Sequence, residues 1–140
     1  MLAMQECFDI IKQNIGYEIR FMSNEKNKQR KWCREEVVIL VTEYFKNKNL
    51  SVEEIDDSYH KISNFLRMRE EILTGQSVSD IFRNYAGISM QSARIRCLDP
   101  DTDLDGMQGT RLQKEIVVEF LLNPDAMYEE AKGIFNKYWM

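Results

Sequence analysis

The side chains best suited to bind a metal ion lie in one acidic loop of the sequence. Asp101, Asp103, Asp105 and Gly106 occupy positions one, three, five and six of a calcium-binding loop. Position twelve, where such a loop needs a bidentate glutamate, is Leu112. Because that ligand is missing, we interpret the segment as an Asp-rich surface loop and predict neither a metal site nor any other cofactor. Whether it binds a cation stays open.

Two further features could belong to an enzyme. Pro124-Asp125 followed by Glu130-Ala131-Lys132 is similar to the PD…ExK pattern of nucleases, in which strands of a sheet bring the residues to a metal. Here they fall within one predicted helix, where they act as cap and i,i+4 partners. His60 is the only histidine, and the chain has no Gly-rich phosphate loop, Ser-His-Asp set or Cys-His pair. We therefore predict that the chain is not an enzyme.

The segment Ser79–Pro100 has the features of a DNA-reading corner. A short helix with an apolar stripe is predicted over about 79–86. Gly87 can adopt the positive φ that ends a helix, and Ser89 is a suitable N-cap for a second helix over 89–97. Such a helix-turn-helix presents polar and basic residues to DNA. The alternative is a plain helical corner whose arginines only solvate the surface.

In the DNA-binding interpretation, the second helix buries Met90, Ala93 and Cys97 and presents its polar side to the major groove. There arginine can pair with guanine and glutamine with adenine, while other cations hold phosphates. Further cations come from a basic run at 26–34. The predicted DNA-binding residues are Arg83, Asn84, Ser89, Gln91, Ser92, Arg94, Arg96, Lys28, Arg30 and Lys31.

Apolar residues at three- and four-residue spacings predict an all-α fold, a compact bundle of about seven helices that contains this corner. Ser51 with Glu54 forms a capping box, and Asn123 precedes a proline suited to a first helical position. The other five helices are predicted over about 2–15, 33–46, 51–73, 110–122 and 123–140. The helix over 110–122 is expected to bury Leu112, Ile116, Val117, Phe120 and Leu121. We expect a single helical domain over 1–140, made of an extension helix (1–22), a core (32–122) and a C-terminal helix (123–140).

The order of these signals resembles the N-terminal helical domain of HNH-type restriction endonucleases. Trp32-Cys33-Arg34-Glu35-Glu36, with Tyr44-Phe45 at the end of the same helix, is similar to the "W-x-R-E-E … L-Y-F" opening of that domain. Its central segment resembles Phe82-Arg83-Asn84, Gly87-Ile88-Ser89-Met90 and Leu98-Asp99-Pro100, and its Gly turn and closing helix resemble Gly106 and the helix at 112–120, which ends in Glu119-Phe120. The resemblance covers about 32–122.

This resemblance implies a helical, DNA-associated module that accompanies a nuclease domain. An HNH nuclease needs more than one histidine, so the chain is not that nuclease by itself. At two positions the sequence departs from the family, because Gln91 replaces a lysine and Arg94 replaces an asparagine. The predicted partners are duplex DNA and a nuclease protein.

Composition sets limits on these functions. A net charge of −4 and a pI near 5.1 argue against a general nucleic-acid coat protein, so that local patches have to attract any phosphate. No apolar run is long enough for a membrane span, and Glu6 and Asp9 interrupt the N-terminal segment where a secretory signal needs an unbroken one. Three widely spaced cysteines suggest free thiols in the cytoplasm.

The same acidic balance supports an alternative function, a protein-interaction module such as an accessory or inhibitor subunit of a defence system. The predicted amphipathic helix within 1–22 could pair with a second copy to form a homodimer. The sequence leaves open the DNA sequence or base modification that is read, the partner protein and the oligomeric state.

Overall fold

The computed structural model describes residues 29–139, and every regular element among them is an α-helix. The predicted all-α class is therefore confirmed for this part of the chain. The predicted helix over 2–15 lies outside the described residues. The helices belong to the unit Trp32–Met140. They are α1 (Arg34–Asn47), α2 (Val52–Thr74), α3 (Tyr85–Arg96), α4 (Arg111–Leu122) and α5 (Pro124–Tyr138).

Helix α1 is the centre of the bundle and contacts each of the other four helices. Its residues 36–43 are all buried. The run Val37–Val41 explains this burial, because five consecutive apolar side chains point in every direction around a helix of 3.6 residues per turn. Each direction has to be covered by another element, and the other helices assemble around α1.

Two helices, α2 and α5, begin at the N-cap residues that the sequence predicts. The Ser51 Oγ accepts a hydrogen bond from the Glu54 N–H at 3.1 Å, and the Glu54 carboxylate accepts one from the Ser51 N–H at 3.2 Å. This is the expected capping box at the start of α2. Asn123 caps α5, with Pro124 at its first position. These ends depend only on residues three or four positions apart, and both predictions are confirmed.

The predicted start of the DNA-reading corner is wrong. Residues 80–83 form turns rather than a helix, and the next helix begins at Tyr85 instead of Ser89. Its cap is Asn84, whose Oδ1 accepts a hydrogen bond from the Gly87 N–H at 2.8 Å.

Gly87 therefore lies in the first turn of α3 and not in a connecting turn. A Cβ atom at this position would come within 3.2 Å of Asn84 Oδ1, so glycine allows the capping side chain a close approach. The connection between α2 and α3, residues 75–84, is longer than the three- or four-residue turn of a helix-turn-helix.

The contacts of Arg83 explain why no helix runs through this connection. Arg83 has a φ of 46°, in the left-handed region that interrupts a right-handed helix. Its Nε donates to Glu36 Oε2 at 2.8 Å, and its carbonyl oxygen accepts from Ser63 Oγ at 2.7 Å. Its guanidinium also lies 4.3 Å from the ring centroid of Trp32. Contacts with α1 and α2 thus fix the backbone here.

The buried face of α3 also differs from the prediction. Ile88, Ser92 and Ile95 are buried, whereas Met90 is 46% exposed. The helix begins four residues earlier than expected, and its apolar side chains in the core are Ile88 and Ile95, neither of which was predicted to be buried. Leu121, predicted to be buried, is 46% exposed on α4.

No helix among residues 29–139 combines the length and the hydropathy that crossing a membrane requires.

Candidate nucleic-acid interface

Two side chains on one side of α3 are hydrogen-bonded to the first turn of α4 and to the loop just before it. Gln91 Oε1 accepts a hydrogen bond from Gln113 Nε2 at 2.6 Å. Arg94 Nη1 donates to the carbonyl oxygen of Gln108 at 2.8 Å. We call this surface, with the neighbouring Lys114, the α3–α4 corner. It fixes a glutamine amide and an arginine guanidinium close to the N-terminus of a helix.

The N-terminus of α4 is formed by a second capping box. The Thr110 Oγ1 accepts from the Gln113 N–H at 3.1 Å, and Gln113 Oε1 accepts from the Thr110 N–H at 3.0 Å. Gln113 therefore uses its oxygen for the cap and its nitrogen for Gln91. The remaining N–H groups of the first turn and the helix dipole make such an end attractive to an anion.

Lys114 lies next to Gln113 on α4 and is exposed. Arg111 lies one turn before Lys114 on the same helix, but its guanidinium is paired with Glu115 at 3.2 Å. The α3–α4 corner thus contains two cationic side chains, Arg94 and Lys114. Glutamine and arginine both carry paired groups that match the edges of adenine and guanine.

Three of the predicted DNA-binding residues serve the fold instead. Arg83 is 2% exposed and is paired with the fully buried Glu36, so it does not face a phosphate in solution. Asn84 caps α3 with its side chain. Ser92 is 2% exposed on the side of α3 that faces the core. We correct the predicted interface by removing these three residues.

Ser89 and Arg96 lie on another side of α3, where they line a cleft of about 420 Å³ between α1, α2 and α3. The opposite wall includes Glu43 and Asn47 of α1, both nearly buried. Ser89 and Arg96 therefore do not share a surface with Gln91 and Arg94, since the two pairs face different neighbours.

The rim of this cleft is an ion-paired network around Asp99, which is 3% exposed. Asp99 Oδ2 accepts from Lys48 Nζ and from the Tyr44 hydroxyl, each at 2.8 Å, and Lys48 Nζ also donates to Asp101 Oδ2 at 2.9 Å. Burial opposes ionisation of Asp99, but these bonds and the Asp101 N–H outweigh it and lower its pKa. Burial and the bond to Asp99 raise the pKa of Tyr44. Lys48 is consequently neutralised by carboxylates.

Two further arginines, the exposed Arg34 and the buried Arg69, are also paired with carboxylates. Arg34 on α1 binds both Glu119 and Glu130, at 2.7 and 2.9 Å, and these bonds raise its pKa. Arg69 on α2 donates to Glu35 Oε1 at 2.8 Å. These arginines hold helices together and are not placed to bind phosphates.

The basic run at 26–34 is only partly described. Lys28 lies outside the described residues. Arg30 and Lys31 are exposed ahead of α1, and Arg30 Nη1 donates to the Lys31 carbonyl oxygen at 2.8 Å.

Gln113 and Lys114 were not predicted as parts of the interface. The sequence does predict a helix N-terminus here, because Thr110 followed three residues later by Gln113 is a capping-box pattern. That this helix N-terminus lies beside Gln91 and Arg94 could not be predicted from the sequence, since it depends on how α3 and α4 pack.

The aspartates of the loop between α3 and α4 do not converge on a common site. Among residues 29–139, no three His, Cys, Asp or Glu side chains lie close enough together to hold a metal ion.

Comparisons with protein-family models, curated proteins and solved structures find no match for this chain.

Proposed function

We propose that this chain is a non-catalytic DNA-binding module of restriction or defence type, which contacts duplex DNA through the α3–α4 corner. The observation that carries the proposal is the pair of hydrogen bonds that hold Gln91 and Arg94 against the start of α4. Gln91 Nε2 and Arg94 Nη2 would read base edges in the major groove, since Gln91 Oε1 and Arg94 Nη1 are already bonded within the corner. Lys114 and the N-terminus of α4 would hold neighbouring phosphates.

The resemblance to the N-terminal domain of HNH-type restriction endonucleases supports the same surface. The two positions at which this chain departs from the family, Gln91 and Arg94, both belong to the α3–α4 corner. In this proposal α2 and α3 work as an extended helix-turn-helix, with residues 75–84 as the connection. The nuclease activity would come from outside residues 1–140, because these residues contain a single histidine.

The experiment is a fluorescence-anisotropy titration of the full chain with random duplexes, unmethylated and methylated, at several salt concentrations. Binding should weaken with salt, with a slope of about −1 in the log–log plot, since Lys114 is the one cationic side chain that the proposal assigns to a phosphate. Lys114→Glu should weaken binding to every duplex by about tenfold and should make that slope shallower by about one. Lys132→Glu is the matched control, because it makes the same charge change at an exposed position on α5.

Base reading is tested separately by Gln91→Ala and Arg94→Ala. Each should reduce the difference between preferred and random duplexes by about 1–3 kcal/mol while leaving the salt slope nearly unchanged. The proposal fails if no duplex binds at low salt. It also fails if Lys114→Glu and Lys132→Glu weaken binding equally, since binding would then follow net charge and not the corner.

The charged side chains that line the cleft between α1, α2 and α3 favour a second candidate function, that of a module that binds a partner protein. Glu43, Asp99 and Asp101 line the cleft against Lys48 and Arg96, and Lys48 is already paired with two of the carboxylates. A cleft with this lining suits a basic segment of a partner. An arginine-rich peptide should bind the full chain, and Asp101→Lys should weaken that binding without changing the affinity for DNA.

A further inference from the structure

Nearly buried polar side chains form the floor of the cleft between α1, α2 and α3. Glu43, Asn47 and Ser92 line it and are 9%, 8% and 2% exposed. The Ser92 hydroxyl makes no hydrogen bond within residues 29–139, and the Asn47 side chain makes only one, from its Nδ2 to Glu43 Oε1 at 3.3 Å. Neither Ser92 Oγ nor Asn47 Oδ1 is sealed from solvent. Since such polar groups are normally hydrogen-bonded, these two oxygens are suited to bond a molecule in the cleft.

Two opposite charges of the cleft are not used by the network at its rim. In that network Asp99 already neutralises Lys48. Glu43 on α1 is held only loosely, because its nearest cation, Lys46 Nζ, lies 3.3 Å away on a side chain that is 58% exposed. Arg96 on α3 forms no ion pair and no side-chain hydrogen bond within the described part of the chain. Glu43 and Arg96 therefore line one cleft with opposite charges and do not pair with each other.

These two charges select the kind of molecule that the cleft accommodates. A cation alone would leave Arg96 without a counter-charge, and an anion alone would do the same to Glu43. A molecule with both charges can form a charge-assisted hydrogen bond at each of them. Ile55, Tyr59 and Ile62 of α2 supply an apolar wall, and a volume of about 420 Å³ lies within the range of small-molecule sites. The best match is a small zwitterion with an apolar side chain.

We propose that this cleft binds a free amino acid or a short peptide in its zwitterionic form. The ammonium group of the ligand would donate to Glu43 and to the Asn47 and Ser92 oxygens, and its carboxylate would accept from Arg96. The proposal does not rest on DNA binding at the α3–α4 corner. It also differs from docking of a basic partner segment, because such a segment gains nothing from the Arg96 cation.

The first test is calorimetric titration of the full chain with L-phenylalanine and with the dipeptide glycyl-phenylalanine, whose charges lie further apart. Each is compared with its N-acetylated form, which lacks the cation, and its C-amidated form, which lacks the anion. At least one zwitterion should bind at least about tenfold more tightly than both of its capped forms. Which of the two binds better distinguishes a free amino acid from a peptide. If neither zwitterion binds at about 10 mM, or if the capped forms bind equally well, the proposal is overturned.

The second test removes the Arg96 charge from an exposed position, where the substitution leaves the core intact. Arg96→Gln should weaken binding of the zwitterion at least about tenfold and leave binding of its C-amidated form unchanged. Ser92→Ala should weaken both by about two- to tenfold. Arg111→Gln is the matched control, because it makes the same change on a side chain that is 93% exposed on α4.

An arginine-rich peptide provides the comparison with docking of a partner protein. Arg96→Gln should bind such a peptide at least as well as the original chain does, since the substitution removes a like charge. If Arg96→Gln and Arg111→Gln affect the zwitterion equally, Arg96 does not bind the carboxylate and the proposal is wrong. Loss of peptide binding alone would count against the partner-binding module and not against the zwitterion site.

Discussion

The buried pair of Glu36 and Arg83 offers a sharp test of why one predicted DNA contact belongs to the core. Both residues are almost fully buried, and Arg83 bonds the carboxylate through Nε at 2.8 Å and Nη2 at 3.2 Å. Glu36 also accepts a hydrogen bond from the Cys33 N–H at 3.1 Å. Glu36→Gln is the informative change, because glutamine can keep that cap while the negative charge is removed.

Removing one partner of a buried pair leaves the other charge uncompensated, which costs about 3–5 kcal/mol. Since a small domain is stable by only about 5–15 kcal/mol, this is a large fraction of the total. At a slope of about 2 kcal/mol per molar urea, the unfolding midpoint should fall by about 2 M with an unchanged slope. The assay is urea unfolding followed by far-UV circular dichroism.

Two variants make the interpretation specific. Glu36→Gln combined with Arg83→Met should be more stable than Glu36→Gln alone, because the uncompensated cation is gone. Glu115→Gln breaks the exposed pair with Arg111, which spans 3.2 Å, and should cost at most about 0.5 kcal/mol. If Glu36→Gln costs no more than this control, the pair is not what fixes the 80–83 turns and the argument is refuted.

Three further predictions concern α3 and the acidic groups. Asn84→Ala should destabilise the protein by about 1 kcal/mol through loss of the cap, whereas Asn84→Asp should cost little; urea midpoints compare them. Ile95→Ala should cost about 2–5 kcal/mol and Met90→Ala much less, and equal losses would contradict the buried face described for α3. Burial raises the pKa of Glu35 and of Asp99, but hydrogen bonds outweigh it, and both values lie below their usual 4.5 and 3.8. The contribution of these two carboxylates to the free energy of unfolding should therefore be fully present above about pH 5 and should be lost as the pH falls through their lowered pKa values. Urea-unfolding midpoints measured from pH 7 to pH 3 test this, and Glu35→Gln should show a weaker dependence on pH than the original protein.

Local signals predicted much of the helical framework. The Ser51 cap with Glu54 and the Asn123 cap before Pro124 were readable because the partners lie within one helical turn. The start of α3 was not readable in the same way. Asn84 and Ser89 are both good caps, and both are followed by residues that can continue a helix.

The choice between these two caps depends on distant residues. Glu36 lies 47 positions before Arg83 and Ser63 lies 20 before it, and their bonds to Arg83 hold the turn that ends at Asn84. The same reason explains the correction to the predicted interface. An arginine has the same sequence signature whether it faces solvent or a buried carboxylate, and only the packing of α1 against the 75–84 connection makes Arg83 a core residue.

The sequence by itself determined that the part of the chain described by the structure is helical and where most of its helices begin, because periodic apolar residues and caps act within a few positions of one another. It also limited the catalytic possibilities by containing a single histidine. Only the tertiary structure decided which polar residues are free to meet a partner. Ion pairs between distant parts of the chain occupy Arg83, Arg34 and Arg69, whereas packing of α3 against α4 brings Gln91 and Arg94 to a helix N-terminus. Long-range electrostatic pairing and helix packing, which leave no periodic trace in the sequence, therefore define the candidate site.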